Sequence, residues 1–204
     1  IGNEQGELLG LIRTQELLAA RKVDGAEQFF PRAVDFGFSK GPKETLDFWN
    51  EEKVLGDVVW VIRKFRPDVI ICRFPTTGEG GHGNHTASAI LAQEAFTAAA
   101  DPKRFPEQLQ YVQPWQAKRL MWNTFNFGNT NTIAPDQFKV NVGVYNPLLG
   151  KGYGEMAAES RSNHKTQGFG SARQRGDAYE YFKTLLGEAP KDDLMDGVNT
   201  SWKR

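Results

Sequence analysis

Cysteine, histidine, surplus charge and long apolar runs are all scarce in this chain, and each scarcity narrows what the protein does. A single cysteine, Cys72, in 204 residues leaves no internal disulfide to hold a fold together. The longest apolar runs, such as the one around 68–72, fall far short of the ~18 residues a membrane-spanning helix needs, and no signal peptide is visible. Basic and acidic side chains balance at 25 each, for a formal charge of zero. That balance excludes the basic excess of a broad nucleic-acid face and gives no pull toward a strongly anionic polymer. The chain opens Ile-Gly-Asn without an initiator Met, which reads as a cut rather than a natural start. What is present is 39% hydrophobic and 12% aromatic, too apolar for a disordered chain and enough for a domain of this size to bury roughly 70% of its unfolded surface. Three histidines, His82, His85 and His164, complete the short inventory of metal-ligating imidazoles.

Periodicity predicts one layered α/β domain. Leu8, Leu11, Ile12, Leu18 and Ala19 recur at helical spacing over Glu7–Val23, after a polar loop with two glycines. Residues 33–38 alternate as a short strand. Trp49, Val54, Val58 and Ile62 predict one helix over Leu46–Phe65, stopped by Pro67. Asp68–Phe74 reads as a buried parallel strand, and Ala87–Ala98 as the next helix. Further strands are predicted over Lys118–Phe125 and Phe138–Tyr145, and helices over Gly154–His164 and Asp177–Leu186. The alternation implies a mostly parallel sheet with helices on its faces. The domain is expected over 1–186, with a polar, peripheral tail over 187–204.

The loop Thr76–Thr86, Thr-Thr-Gly-Glu-Gly-Gly-His-Gly-Asn-His-Thr, carries the most information. It lies where a strand ends and a helix begins, the place where open α/β sheets bind ligands. His82 and His85 stand three apart at the helix mouth. As neutral imidazoles they suit a divalent metal, and one of them suits a general acid or oxyanion donor instead. Asn84 between them suits a supporting role, orienting an imidazole through its side-chain carbonyl. Equally open is a solvated turn whose glycines serve the backbone and whose histidines are idle. A phosphate loop is excluded, since the Lys-Ser/Thr of a P-loop and the GxGxxG spacing are both missing.

At His82-Gly83-Asn84-His85 the chain resembles the LmbE-like/PIG-L family of zinc-dependent de-N-acetylases, which carry His-x-Asp-His between a strand and a helix. Gly2-Asn3-Glu4-Gln5-Gly6 followed by Ile12-Arg13-Thr14-Gln15-Glu16 is similar to the family's Gly-rich loop and Ile-Arg-x-x-Glu helix. Ser162–Gln167, with His164, is similar to a further His-x-Ser-Gln element. The resemblance implies a Rossmann-like three-layer sandwich, an N-acetylated amino sugar or glycoconjugate as substrate, and an exported location. It implies Zn²⁺, or another divalent metal, bound by His85, with His82 and Asn84 catalytic and Asn3, Arg13 and His164 contacting substrate. The family's His-Pro-Asp-Asp signature, source of two metal ligands and a general base, has no counterpart, for no His-Pro dipeptide occurs in the chain. The expectation is a family domain whose first strand is missing, which binds zinc weakly and hydrolyses nothing unaided. The alternative is a sugar-binding domain without hydrolysis, with Trp115, Trp122, Phe125 and Phe127 available for stacking.

Overall fold

The structure, a computed structural model, describes residues 3–168 and 170–201. Gly2 of the N-terminal loop match and residues 202–204 of the tail lie outside the described residues. In chain order the elements are helices α1 (Gly6–Asp24), α2 (Pro42–Trp49) and α3 (Glu51–Phe65), strand β1 (Val69–Cys72), helix α4 (Gly83–Ala98) and a 3-10 turn (Pro106–Gln110). Strands β2 (Arg119–Thr124), β3 (Asn126–Phe127), β4 (Thr130–Asn131), β5 (Phe138–Asn141), β6 (Tyr145–Asn146) and β7 (Lys151–Gly152) follow. Helix α5 (Tyr153–Arg161), a second 3-10 turn (Lys165–Gln167) and strand β8 (Tyr179–Gly187) complete the run. Among the described residues, no helix is long and apolar enough to cross a membrane.

Four strands form one sheet in the order β1-β2-β8-β5, while β3 pairs with β4 and β6 with β7. β1 runs parallel to β2, from Val69 opposite Arg119 to Cys72 opposite Trp122. β8 runs antiparallel to β2. The sheet is therefore mixed, which corrects the expectation of a mostly parallel one. Its source is the segment expected as a helix over Asp177–Leu186, which is β8. Tyr179, Tyr181 and Lys183 alternate with Glu180, Phe182 and Thr184, and Phe182 is buried. Aromatic and β-branched residues at period two suit a half-buried pleated surface and prevail over the helical spacing. β1 is the opposite edge of the sheet, and its apolar Ile71 is 49% exposed.

Two further expectations are corrected. Residues 33–38 form no strand, because their surroundings bond to side chains rather than to a ladder. Trp49 Nε1 donates to the Val34 carbonyl at 2.8 Å, and Arg32 next to the segment is bidentate to Asp57 at 2.9 and 2.7 Å. The single helix expected over Leu46–Phe65 is two helices, because Asn50 takes a φ of +62°. Its side chain then caps α3, accepting from the Lys53 N–H at 3.3 Å.

The chain divides into two compact units, Ile1–Phe29 with Lys139–Glu180, and Phe30–Phe138 with Tyr181–Arg204. In the first, α1 packs on α5 with Ala20 and Ala158 buried. Asp24 at the end of α1 accepts from Ser160 Oγ of α5 at 2.9 Å. Glu155 holds the start of α5 by accepting from the Gly152 N–H at 3.1 Å and pairing with Arg175 at 2.9 Å.

In the second unit, Val54, Leu55, Val59 and Ile62 of α3 bury against Leu91, Ala95 and Ala98 of α4 and the following Ala99. A smaller cluster joins Cys72, Phe96, Ala117 and Leu120 beneath the sheet. Two arginines are fully buried as well, Arg63 and Arg119, each 1% exposed. The Arg63 guanidinium donates to the carbonyls of Ala98, Ala99, Asp101, Arg104 and Phe105 and to Gln108 Oε1, at 2.8–3.2 Å. It thereby gives the Ala98 and Ala99 carbonyls at the end of α4 a second donor beside the Asp101 and Trp115 N–H groups, and orders the turn that follows. Arg119 likewise binds the carbonyls of Glu188, Leu194 and Asp196 at 3.0, 2.5 and 2.5 Å, tying the polar C-terminal segment back to β2. Replacing Arg63 by Met removes six hydrogen bonds of a buried side chain at once and takes from the Arg104 carbonyl and Gln108 Oε1 the donor that Arg63 supplies. The expected loss is about 3 kcal/mol or more, read as a lower urea midpoint at an unchanged m-value, with Arg63→Lys recovering only part of it.

Candidate functional site

α4 begins four residues earlier than its apolar pattern shows, and this places both loop histidines at the helix mouth. His82 is the N-cap residue, and His85 lies in the first turn. The His82 Nδ1 accepts the Asn84 backbone N–H at 3.1 Å, so the ring proton is on Nε2. The His85 Nδ1 lies 3.0 Å from the Gly80 carbonyl oxygen. That oxygen only accepts, so His85 carries a proton on Nδ1, and its neutral form keeps a lone pair on Nε2. The ring centroids are 5.1 Å apart. One ring thus offers a donor and the other an acceptor, side by side beyond the carboxyl end of β1.

Packing fixes both rings. Phe74 stacks on His85 at 3.8 Å with the planes 2° from parallel, and Phe38 meets His82 edge-on at 4.8 Å. Two glycines admit this arrangement. A Cβ on Gly80 would sit 2.9 Å from the Phe74 ring, and one on Gly83 would sit 2.3 Å from Ser39 Oγ and 2.5 Å from the Gly41 carbonyl oxygen.

Asn84 does not orient an imidazole through its side-chain carbonyl, which corrects that expectation. Its Oδ1 accepts from Thr45 Oγ1 of α2 at 2.8 Å, inside a network with buried Ser39 and exposed Glu44. A nearby hydroxyl captures the amide, and the backbone N–H of Asn84 serves His82 instead. A cavity of about 410 Å³ opens on this face, lined by Val34, Asp35, Trp49, His82, Asn84 and His85 among others. Asp35 is the residue the sequence reading missed. Nothing in its spacing marks it, because only the irregular path of 33–38 brings it there. Larger clefts of about 540 and 700 Å³ elsewhere in the second unit contain no histidine.

The expected aromatic platforms separate by environment. Trp115 donates to the Pro67 carbonyl at 2.6 Å and packs on the core. Trp122 is buried, Phe127 is 82% exposed, and Phe125 touches both Phe74 and Trp122 at 6.4 Å between centroids. Burial pushes the Cys72 thiol up to about 11, so it is an inert core residue.

The remaining expected residues lie in the first unit. Asn3 is exposed ahead of α1, and Arg13 and His164 both lie close to Glu16, which is buried. Burial raises the Glu16 carboxyl, but hydrogen bonds from the Thr166 N–H at 2.6 Å and Oγ1 at 2.8 Å, with His164 and Arg13 nearby, hold it below the usual 4.5. The structure therefore joins the Arg-x-x-Glu and His164 elements within one unit, and the His82–His85 element stands in the other.

No three His, Cys, Asp or Glu side chains among the described residues converge as a metal-ligand set. Catalytic zinc takes three protein ligands, so the imidazole pair does not by itself fit such an ion.

Residues 2–96 match the PIG-L family model, described as GlcNAc-PI de-N-acetylase. Over 142 residues the chain is 28% identical to a mycothiol S-conjugate amidase of Streptomyces coelicolor, covering 67% of this chain and 47% of that protein. Over 136 residues it is 29% identical to a 1D-myo-inositol 2-acetamido-2-deoxy-alpha-D-glucopyranoside deacetylase of Streptomyces avermitilis, covering 59% and 42%. The chain thus spans about half the length of the curated relatives it matches. A crystal structure of a conserved protein from Thermus thermophilus aligns with a TM-score of 0.46 at 19% identity, over 77% of this chain and 58% of that one.

Two outcomes test this geometry. Gly83→Ala is expected to cost about 1–3 kcal/mol, seen in a thermal melt. Because the folded-state Glu16 carboxyl is depressed, its contribution is fully present above the usual carboxylate value and is lost as pH falls through the depressed one. Glu16→Gln is therefore expected to flatten the acid limb of stability below the usual carboxylate value, followed by thermal unfolding as pH is lowered.

Proposed function

We propose that this chain, residues 2–96 of which match the PIG-L family model, serves an amidohydrolase that removes the acetyl group from an N-acetylglucosamine-type conjugate. The observation that carries the reading is the pair of complementary tautomers at the carboxyl end of β1, one imidazole donor beside one imidazole acceptor. The names of the two curated relatives, an amidase and a deacetylase of a 2-acetamido sugar, support the same reaction class.

Amide hydrolysis adds water across the C–N bond. The carbonyl oxygen gathers negative charge, and the departing nitrogen takes up a proton to leave as an amine beside acetate. His82 Nε2–H is the group in this pocket suited to donate to that oxygen or nitrogen. His85 Nε2 would be the one imidazole lone pair this pocket offers a divalent ion, zinc or another. Asn84 braces the helix mouth through Thr45. A second reading, sugar binding without hydrolysis, is favoured by the short donor set.

The test is acetate release from N-acetylglucosaminyl conjugates in the presence of zinc. His82→Ala is expected to lower kcat by about 10²–10⁴, and His85→Ala to lower it as well. Full activity in His85→Ala would overturn the assignment. Sugar binding that ignores a chelator, with no acetate released, selects the second reading.

A further inference from the structure

The cavity beside the histidines holds one group that amide chemistry leaves unused. We infer that Asp35 is a sugar-binding residue, whose carboxylate accepts hydrogen bonds from adjacent ring hydroxyls of a pyranose seated against Trp49. The inference rests on the reading of His82 and His85 as the reacting end of this pocket.

Among the side chains that line the cavity, Asp35 is the one carboxylate. Asn84 Oδ1 accepts from Thr45 and Trp49 Nε1 donates to the Val34 carbonyl, while the two imidazole rings lie 5.1 Å apart beside them. A pyranose brings two surfaces that need matching, an apolar C–H face and a rim of hydroxyl donors. The indole of Trp49 answers the first. Hydroxyl donors find their strongest acceptor in a carboxylate, and two adjacent hydroxyls match its two oxygens.

The position of Asp35 is built rather than incidental. The Trp49–Val34 bond at 2.8 Å fixes the backbone one residue before it. Asp35 Oδ1 accepts the Gly37 N–H at 2.8 Å, which sets the carboxylate plane. A carboxylate presents about four lone-pair sites over its two oxygens, so it accepts ligand hydroxyls alongside its internal bonds. The cavity volume of about 410 Å³ suits one sugar ring with its acetamido group. Asp35 thus selects for the hydroxylated ring, while the histidines meet the acetamide.

The experiment follows methyl N-acetylglucosaminide by NMR, recording the imidazole resonances of His82 and His85 and the dissociation constant for the chain and two variants. N-cyclohexylacetamide, which keeps the amide but has no hydroxyls, is the control. Asp35→Ala is expected to weaken the sugar about tenfold or more, with Asp35→Asn in between and the control unchanged. The imidazole resonances should still shift at saturation. Sugar affinity in Asp35→Ala equal to the parent, with imidazoles shifting, overturns the role of Asp35 and leaves the histidine reading intact. Equal weakening of sugar and control also overturns it, since that is the mark of a displaced loop. Sugar binding that leaves both imidazoles unmoved in the parent overturns the histidine reading and this inference with it.

Discussion

A positive charge withdrawn from water and met by carbonyl oxygens sets the second unit. Arg63 is on α3, but its guanidinium reaches the carbonyls of Ala98 and Ala99, where α4 ends. The cation lies at the end of the helix where the backbone dipoles are negative, and it uses fixed, uncharged acceptors rather than a mobile carboxylate. Desolvating a guanidinium is costly, so the arrangement holds only while every acceptor stays in place. At the other end, the Gly83 N–H is held by the Ser39 carbonyl at 2.8 Å. α4 is thus anchored at both termini, and the pose of His82 and His85 follows from that.

The same economy of polar groups shapes the pocket. Each imidazole has one nitrogen bound by the local backbone, which decides the tautomer before a ligand arrives. The rings are packed against Phe74 and Phe38. What stays available is one Nε2–H and one Nε2 lone pair, a preorganised pair whose orientation need not be re-established in each encounter. Thr45, 39 residues away in sequence, keeps the helix mouth seated by holding Asn84.

Long periodic segments were legible in the sequence. α1, α4 and α5, with β1 and β2, follow from apolar spacing and from Pro and Gly punctuation. Short mixed segments were not. Asp177–Leu186 carries two periods at once, and pairing with β2 decides for the strand. Residues 33–38 alternate like a strand, yet Trp49 draws the backbone into another path. Of the candidate site, His82 and His85 stood out through their place between a strand and a helix. Asp35, Ser39 and Thr45 did not, since their roles come from contacts across the fold rather than from spacing. Nothing in the spacing marks Arg63 and Arg119, because a sequence does not show that the carbonyls of a distant turn will enclose them.

The side of β1 away from β2, where no strand among the described residues pairs, has a consequence for how these molecules behave together in solution. Val69, Ile70, Ile71 and Cys72 contain neither the charges nor the proline with which sheet edges usually discourage strangers. Ile71 stands half in solvent on that edge. The chain also has no net charge to hold copies apart at neutral pH. Colloidal stability therefore rests on whatever covers four residues of backbone, and the segment that makes β1 a good strand inside a sheet makes it a poor one at a border.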